Sequence, residues 1–137
     1  MKLIVLDDKG VINEVNDPFI QTPEQWIPIP GSLEAIAKLT HQGYRVIVAT
    51  NQSGIGRGLL DMDTFNAIND KLFKAAQAAG GYLDALFFCP HAQQEHCHCR
   101  KPEIGLFKEI IQRYSTDLKD VPVVGDSLKD LQAASSI

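Results

Sequence analysis

The sequence is short of several things at once. Nowhere in its 137 residues is there an apolar run long enough to cross a membrane. Met1 leads straight into a strand-like segment, so no secretory signal peptide is expected. There is no basic stripe, and the formal net charge is −4, which speaks against a nucleic-acid partner. No internal repeat, low-complexity tract or linker divides the chain, and its length suits a single domain spanning residues 1–137. Cysteine is scarce: three residues, an odd number, two of them within Cys97-His98-Cys99. Disulfide pairing would leave one over, so metal ligation in a reducing cytoplasm is the expectation. What remains, 45% hydrophobic and 22% charged residues, is ordinary for a soluble globular protein.

Against that background the opening segment stands out. Lys2 to Leu6 is a short, branched, apolar run of the kind that forms a buried strand. Asp7 falls at its end, and Gly10 permits a tight turn just beyond. A Pro-containing loop runs from about Glu14 to Ile29. Ser32 is the expected N-cap of a helix whose apolar face carries Leu33, Ile36, Ala37 and Leu39, with Gly43 as its stop. A second strand is expected over Tyr44–Ala49, followed by the glycine-rich loop Thr50–Gly58. A helix capped by Asp61 or Asp63 runs to about Ala79. A third strand covers Asp84–Phe88, a Cys/His loop Cys89–Pro102, and a helix about Glu103–Tyr114. A fourth strand, Val121–Val124, leads into a last helix starting near Ser127. This alternation predicts an α/β fold, a Rossmann-like parallel sheet with helices on both faces.

In such a sheet the polar segments after each strand meet at one edge, where ligands bind. Asp7 and Asp126 are therefore placed to share a divalent cation, and two carboxylates plus substrate phosphate suit Mg²⁺. As a lone residue, Asp126 would serve equally well as a helix cap. Thr50, Ser53 and the loop N–H groups suit an oxyanion. Arg100 and Lys101 bring positive charge to the same edge. Cys89, His91, Cys97 and Cys99 form two short pairs of soft ligands across a polar loop, which suits a closed, structural tetrahedral zinc site. His96 and His98 are alternative ligands.

These segments together resemble the haloacid dehalogenase superfamily of phosphatases, specifically the D-glycero-D-manno-heptose 1,7-bisphosphate phosphatases. The motifs are Thr50-Asn51-Gln52-Ser53-Gly54, Arg57-Gly58, Cys89-Pro90-His91, Cys97-x-Cys99-Arg100-Lys101-Pro102 and Gly125-Asp126-x-x-x-Asp130. Histidinol-phosphate phosphatases share the zinc loop but usually carry Asp at the position of Ser53. The resemblance implies that Asp7 attacks phosphorus to form an aspartyl-phosphate. Thr50 and Lys101 would hold the phosphoryl group. Asp7, Asp126 and the backbone carbonyl of Lys9 would bind Mg²⁺. Asn16, Asp17, Asn51, Gln52, Ser53, Arg57 and Arg100 would contact the sugar bisphosphate. It further implies a cytoplasmic enzyme of lipopolysaccharide core synthesis without a large cap domain.

The chain departs from that family in two places. Where the family reads Asp-x-Asp-Gly, this chain reads Asp7-Asp8-Lys9-Gly10. Lys9 thus stands where the family's acid/base Asp belongs. If the segment is extended, Asp8 points away from Asp7 and cannot replace it. Lys9 is also expected to compete with Mg²⁺ for Asp7. Loss of general acid–base help typically costs about 10²–10⁴ in rate, so weak turnover is expected while zinc binding survives. A histidinol-phosphate phosphatase and a catalytically silent phosphate-binding module are the alternatives. The second departure is a missing C-terminal strand, which would leave the Val121–Val124 edge open. A monomer is expected, with self-association through that edge as the other outcome. A smaller difference is Ser127, where some relatives place Lys.

Overall fold

The strands of this protein, described as a computed structural model over residues 2–16, 19–92 and 95–136, all run parallel. In chain order the elements are β1 (Lys2–Leu6), a 3₁₀ turn (Pro23–Gln25), α1 (Ser32–His41), β2 (Tyr44–Asn51), α2 (Ser53–Gly56), α3 (Met62–Ala78), β3 (Leu83–Cys89), α4 (Gly105–Tyr114), β4 (Val123–Val124) and α5 (Leu128–Ser135). The sheet order is β3-β2-β1-β4. The chain builds outward from β1 to β2 and β3, then returns to lay β4 on the other side. The order therefore reverses at β1, and a crevice opens beyond the carboxyl ends of β1 and β4.

The apolar runs of β1 and β2 are continuous because both faces are covered. Successive side chains alternate between two cores. Ile4, Leu6, Val46 and Val48 face Ile36 of α1 and Phe65, Ile68 and Leu72 of α3. Leu3, Val5, Ile47 and Ala49 face Leu106, Phe107 and Ile110 of α4 and Ala133 of α5. The expected helices on both faces of a parallel sheet are thus present.

Several boundaries differ from the sequence expectation. β2 runs through Thr50 and Asn51, because its partner β3 continues to Cys89 and pairs with them. Pairing with a neighbour outweighs the polarity of those two residues. Ser32 is not the cap of α1 but its first residue, and Gly31 holds the cap position. The Ser32 hydroxyl donates instead to the Val11 carbonyl at 2.6 Å, tying α1 to the turn after β1. Asp61 caps α3 and accepts from the Thr64 N–H at 2.7 Å. α5 is capped by Ser127, not Asp126, in a reciprocal capping box with Asp130. That frees Asp126 for the crevice. β4 is an edge strand reduced to two residues, with Val124 exposed beside Leu128 and Leu131 of α5.

Candidate active site

Asp7 follows the last residue of β1 and is 8% exposed. Its N–H still joins the sheet, donating to the Val124 carbonyl at 2.9 Å. Its carboxylate meets the Lys101 ammonium at 3.5 Å. Lys101 is itself buried, donating to the Ala49 carbonyl at 2.9 Å and contacting Asp130. Asn51 aligns the Lys101 backbone from both sides: Asn51 Oδ1 accepts from its N–H at 2.9 Å and Asn51 Nδ2 donates to its carbonyl at 3.2 Å. Burial first, then the neighbouring Asp8 charge, pushes the Asp7 carboxyl up to about 7, with Lys101 pulling against them. Burial also acts on Asp130, but the hydrogen bond and charge of Lys101 outweigh it and hold that carboxyl below the ordinary range.

Carboxylate oxygens of Asp7, Asp126 and Asp130 all lie within 4.8 Å of one another. Asp126 can come this close because Gly10, at φ +77°, has no β-carbon; a methyl there would overlap the Asp126 carboxylate. Exposed Asp126 and buried Asp7 thus make an oxygen-rich seat of two carboxyl groups that fits a hard cation. Asp130 belongs to the same group but has its oxygens engaged by Lys101 and Ser127. It was not anticipated as a site residue. The signal was the second Asp four residues after Asp126, which places it one helical turn on.

The turn after β1 overturns two expectations. The segment follows the sheet through the Asp7 N–H but bends at Asp8: the N–H groups of Val11, Ile12 and Asn13 all turn back on the Asp8 carbonyl. Asp8 lies close enough to Asp7 for its charge to raise that carboxyl, but it lines the neighbouring cavity with Phe19, Trp26 and Gln52, not the one that holds Asp7 and Asp126. Its Oδ1 accepts from the Thr50 hydroxyl and from the Lys9 N–H, each at 2.7 Å, and its Oδ2 from Gln52 Nε2 at 3.3 Å. Lys9, in turn, does not reach the Asp7 carboxylate. Its ammonium donates to the Asn51 carbonyl at 2.9 Å, and among the described residues Asp7 has its ion pair with Lys101.

Gln52 and Ser53 are half-buried where β2 enters α2, Asn16 is half-buried, and Arg57 is exposed just after α2. Asp17 lies outside the described residues. Gly56 lets the loop seat against the Cys/His loop, donating to the Pro90 carbonyl at 2.6 Å; a β-carbon would meet that oxygen at the same distance.

In that loop Cys89, His91, Cys97 and Cys99 present ligand atoms within 4.8 Å of one another. The His91 Nδ1 is 3.5 Å from Cys89 Sγ and 3.3 Å from Cys99 Sγ. Cys97 Sγ is 3.4 Å from Cys89 Sγ and 3.7 Å from Cys99 Sγ. The structure joins Cys89 and Cys99 as a disulfide and leaves Cys97 free. A disulfide gives His91 and Cys97 no reason to converge on it. Zn–S bonds of about 2.3 Å imply ligand–ligand edges of roughly 3.8 Å, and the spacings to His91 and Cys97 approach that. His96 and His98 are exposed and outside the cluster. Cys97 Sγ accepts the Arg100 N–H at 3.4 Å, so the cluster fixes the residue that precedes Lys101.

Comparison with known proteins adds to this geometry. The sequence profile of the polynucleotide kinase 3 phosphatase family matches residues 3–133. The chain is 53% identical over 98% of its length to a D-glycero-beta-D-manno-heptose-1,7-bisphosphate 7-phosphatase of Bordetella bronchiseptica, covering 75% of that protein. It is 44% identical over its whole length to the protein of that name from Neisseria meningitidis serogroup A, covering 73% of it. The crystal structure of the D,D-heptose 1,7-bisphosphate phosphatase from B. bronchiseptica, complexed with magnesium and phosphate, superposes with a TM-score of 0.97, covering 99% of this chain and 76% of that one.

Proposed function

Because the chain belongs to the D-glycero-D-manno-heptose 1,7-bisphosphate 7-phosphatase family of haloacid dehalogenase-type phosphatases, we propose that it is built to remove the C7 phosphate of that sugar bisphosphate, with Asp7 as nucleophile. The observation that carries this is the placement of Asp7: at the switch point of the sheet, against Lys101, with Asp126 and Asp130 within 4.8 Å.

Asp7 Oδ attacks phosphorus in line with the ester oxygen. The bond from phosphorus to that oxygen breaks, and the sugar oxygen takes its proton from solvent water. Water then adds to the aspartyl-phosphate and releases inorganic phosphate, restoring the carboxylate. Lys101, held by Ala49 and Asp130, neutralises charge on the phosphoryl oxygens without having to move. Asp7, Asp126 and the Lys9 carbonyl would hold Mg²⁺, which supplies charge neutralisation at the phosphoryl group. Cys89, His91, Cys97 and Cys99, once reduced, would hold a structural Zn²⁺ that keeps Arg100 and Lys101 in register.

Two features argue that this chain runs the reaction poorly. Lys9 offers an ammonium where the family pattern places a carboxylic acid, and an amine with a reference pKa of about 10.4 is a poor base near neutrality. Loss of that help costs about 10²–10⁴ in rate. Asp8 adds a second impediment, because its carboxylate takes the Thr50 hydroxyl that would otherwise donate to phosphate. These same features favour the second reading, a phosphate-binding module with little turnover. The test is phosphate release with Mg²⁺ from heptose 1,7-bisphosphate and from histidinol phosphate. Slow release from the heptose ester alone supports the proposal. Preference for histidinol phosphate overturns it, and binding without release favours the module.

A further inference from the structure

The Cys/His loop can close in two ways. Cys89, His91, Cys97 and Cys99 converge as a ligand set, which suits a metal. The sulfurs can also react with one another. The Cα atoms of Cys89 and Cys99 are 5.6 Å apart, a span that a disulfide bridges without backbone movement. Cys97 Sγ lies against both of them, at 3.4 Å from Cys89 Sγ and 3.7 Å from Cys99 Sγ. Closed on itself through Cys89 and Cys99, the loop leaves Cys97 as a thiol. His91 serves only the metal-bound form.

The sulfurs differ in what can reach them. Cys89 is fully buried at the end of β3, in the core beneath α4. Cys97 is half-buried and lines a surface cleft of about 720 Å³. Among the described residues of that lining, Cys97 is the one cysteine. A small oxidant arriving from solvent therefore meets Cys97 first, with two further sulfurs directly behind it. Arg100 and Lys129 line the same cleft. Reactive cysteines sit in electropositive, partly exposed surroundings of this kind, beside a cysteine that can resolve the oxidised product.

We propose that Cys97 is a modification site for hydroperoxides, through which oxidation expels zinc and closes the loop as a Cys89–Cys99 disulfide. This rests on the reading of Cys89, His91, Cys97 and Cys99 as a zinc site and is independent of the phosphatase reading. With hydrogen peroxide, the Cys97 thiolate attacks one peroxide oxygen. An S–O bond forms, the O–O bond breaks and hydroxide leaves. The sulfur gives up two electrons and the peroxide takes them. The Cys89 thiolate then attacks the Cys97 sulfur, and the sulfenic oxygen departs as a second hydroxide. Exchange follows: the Cys99 thiolate attacks the Cys89 sulfur and releases Cys97 as a thiolate. In sum, two thiolates and one peroxide become one disulfide and two hydroxides. His91 and a single thiolate are then too few ligands to retain zinc. The ion had tied Cys97 to β3 through Cys89, and Cys97 Sγ accepts the Arg100 N–H at 3.4 Å. Its loss therefore releases the segment that runs into Lys101.

The test uses the intact, reduced, zinc-loaded chain, hydrogen peroxide and a chromogenic chelator that reads free zinc. About one equivalent of peroxide should release about one equivalent of zinc. Alkylation should then find one thiol where the reduced chain has three. Cleavage after Glu95 separates Cys89 from Cys97 and Cys99. Peptide mass spectrometry should therefore place the label on Cys97 and a link between Cys89 and Cys99. Dithiothreitol with added zinc should restore the loaded chain. Trypsin should cut after Arg100 roughly tenfold faster once zinc has left. Zinc and thiols that withstand about a tenfold excess of peroxide overturn the proposal. So does a free thiol at Cys89 or Cys99, or irreversible oxidation in place of the disulfide. An unchanged rate of cleavage overturns the link to Lys101. If the reduced chain takes up no zinc, the zinc reading itself fails and the proposal falls with it.

Discussion

At the scale of single residues, the site is governed by which charges face one another. Asp8 is the least expected member. Three donors hold its carboxylate, and one of them is the hydroxyl of Thr50, the residue proposed to meet a phosphate oxygen. Hydrogen bonds to a charged partner are worth about 1.5–3 kcal/mol each, so freeing the Thr50 hydroxyl should matter. Asp8→Ala is expected to tighten inorganic phosphate binding by about ten- to a hundredfold, converting that energy at about 1.4 kcal/mol per decade. Titration calorimetry checks this, and equal or weaker binding would contradict it. Asp7 carries the pH dependence. Its carboxyl titrates near 7, so below that pH a proton competes with the divalent cation. Mg²⁺ affinity should fall about tenfold per unit below pH 6 and level off above pH 8. The sign is the opposite for the metal-free fold. A carboxyl raised above its unfolded value of 3.8 favours the fold at low pH, and that contribution is lost as pH rises from about 4 through about 7. Thermal melts with and without Mg²⁺ across that window should diverge as pH rises.

At the scale of elements, β1 and β2 position everything else. Ile47, in the middle of β2, is fully buried between β1, β3 and α4. Ile47→Ala should destabilise the fold by about 2–5 kcal/mol, seen as a lower urea midpoint with an unchanged slope. The strands could be read from the sequence because buried parallel strands are unbroken apolar runs, and α3 and α4 because their apolar residues recur at helical spacing. The ends were harder. Nothing in Thr50 and Asn51 announces a strand; they are extended because β3 pairs with them. Gly10 announced the turn after β1, but the surroundings of the Asp8 side chain could not be read, since they depend on contacts with Thr50 and Gln52 from β2 and the residue after it. The Cys/His loop was legible as a ligand set because short Cys and His spacings have few other uses. Its link to Arg100 through the Cys97 sulfur is a tertiary detail. Cys97→Ala is therefore expected to abolish stoichiometric zinc binding and to loosen Arg100, weakening ester binding without unfolding the sheet. Zinc analysis beside far-UV circular dichroism separates those effects.

For the whole molecule, the sheet order brings residues from opposite ends of the chain into one crevice, with Asp7 from the start and Asp126 and Asp130 from near the end. The central claim is a proposal about this chain alone: Asp7, Lys101, Asp126 and Asp130 meet in one crevice, and Asp8 and Lys9 are proposed to be exchanged relative to the family pattern. The most direct test is phosphate release from heptose 1,7-bisphosphate with Mg²⁺, comparing the chain with the double variant Asp8→Lys, Lys9→Asp. The exchange removes the carboxylate from Thr50 and sets an acid two residues after Asp7. The account predicts that kcat rises by about 10²–10⁴ in the double variant. Equal and ordinary turnover in both proteins would contradict it.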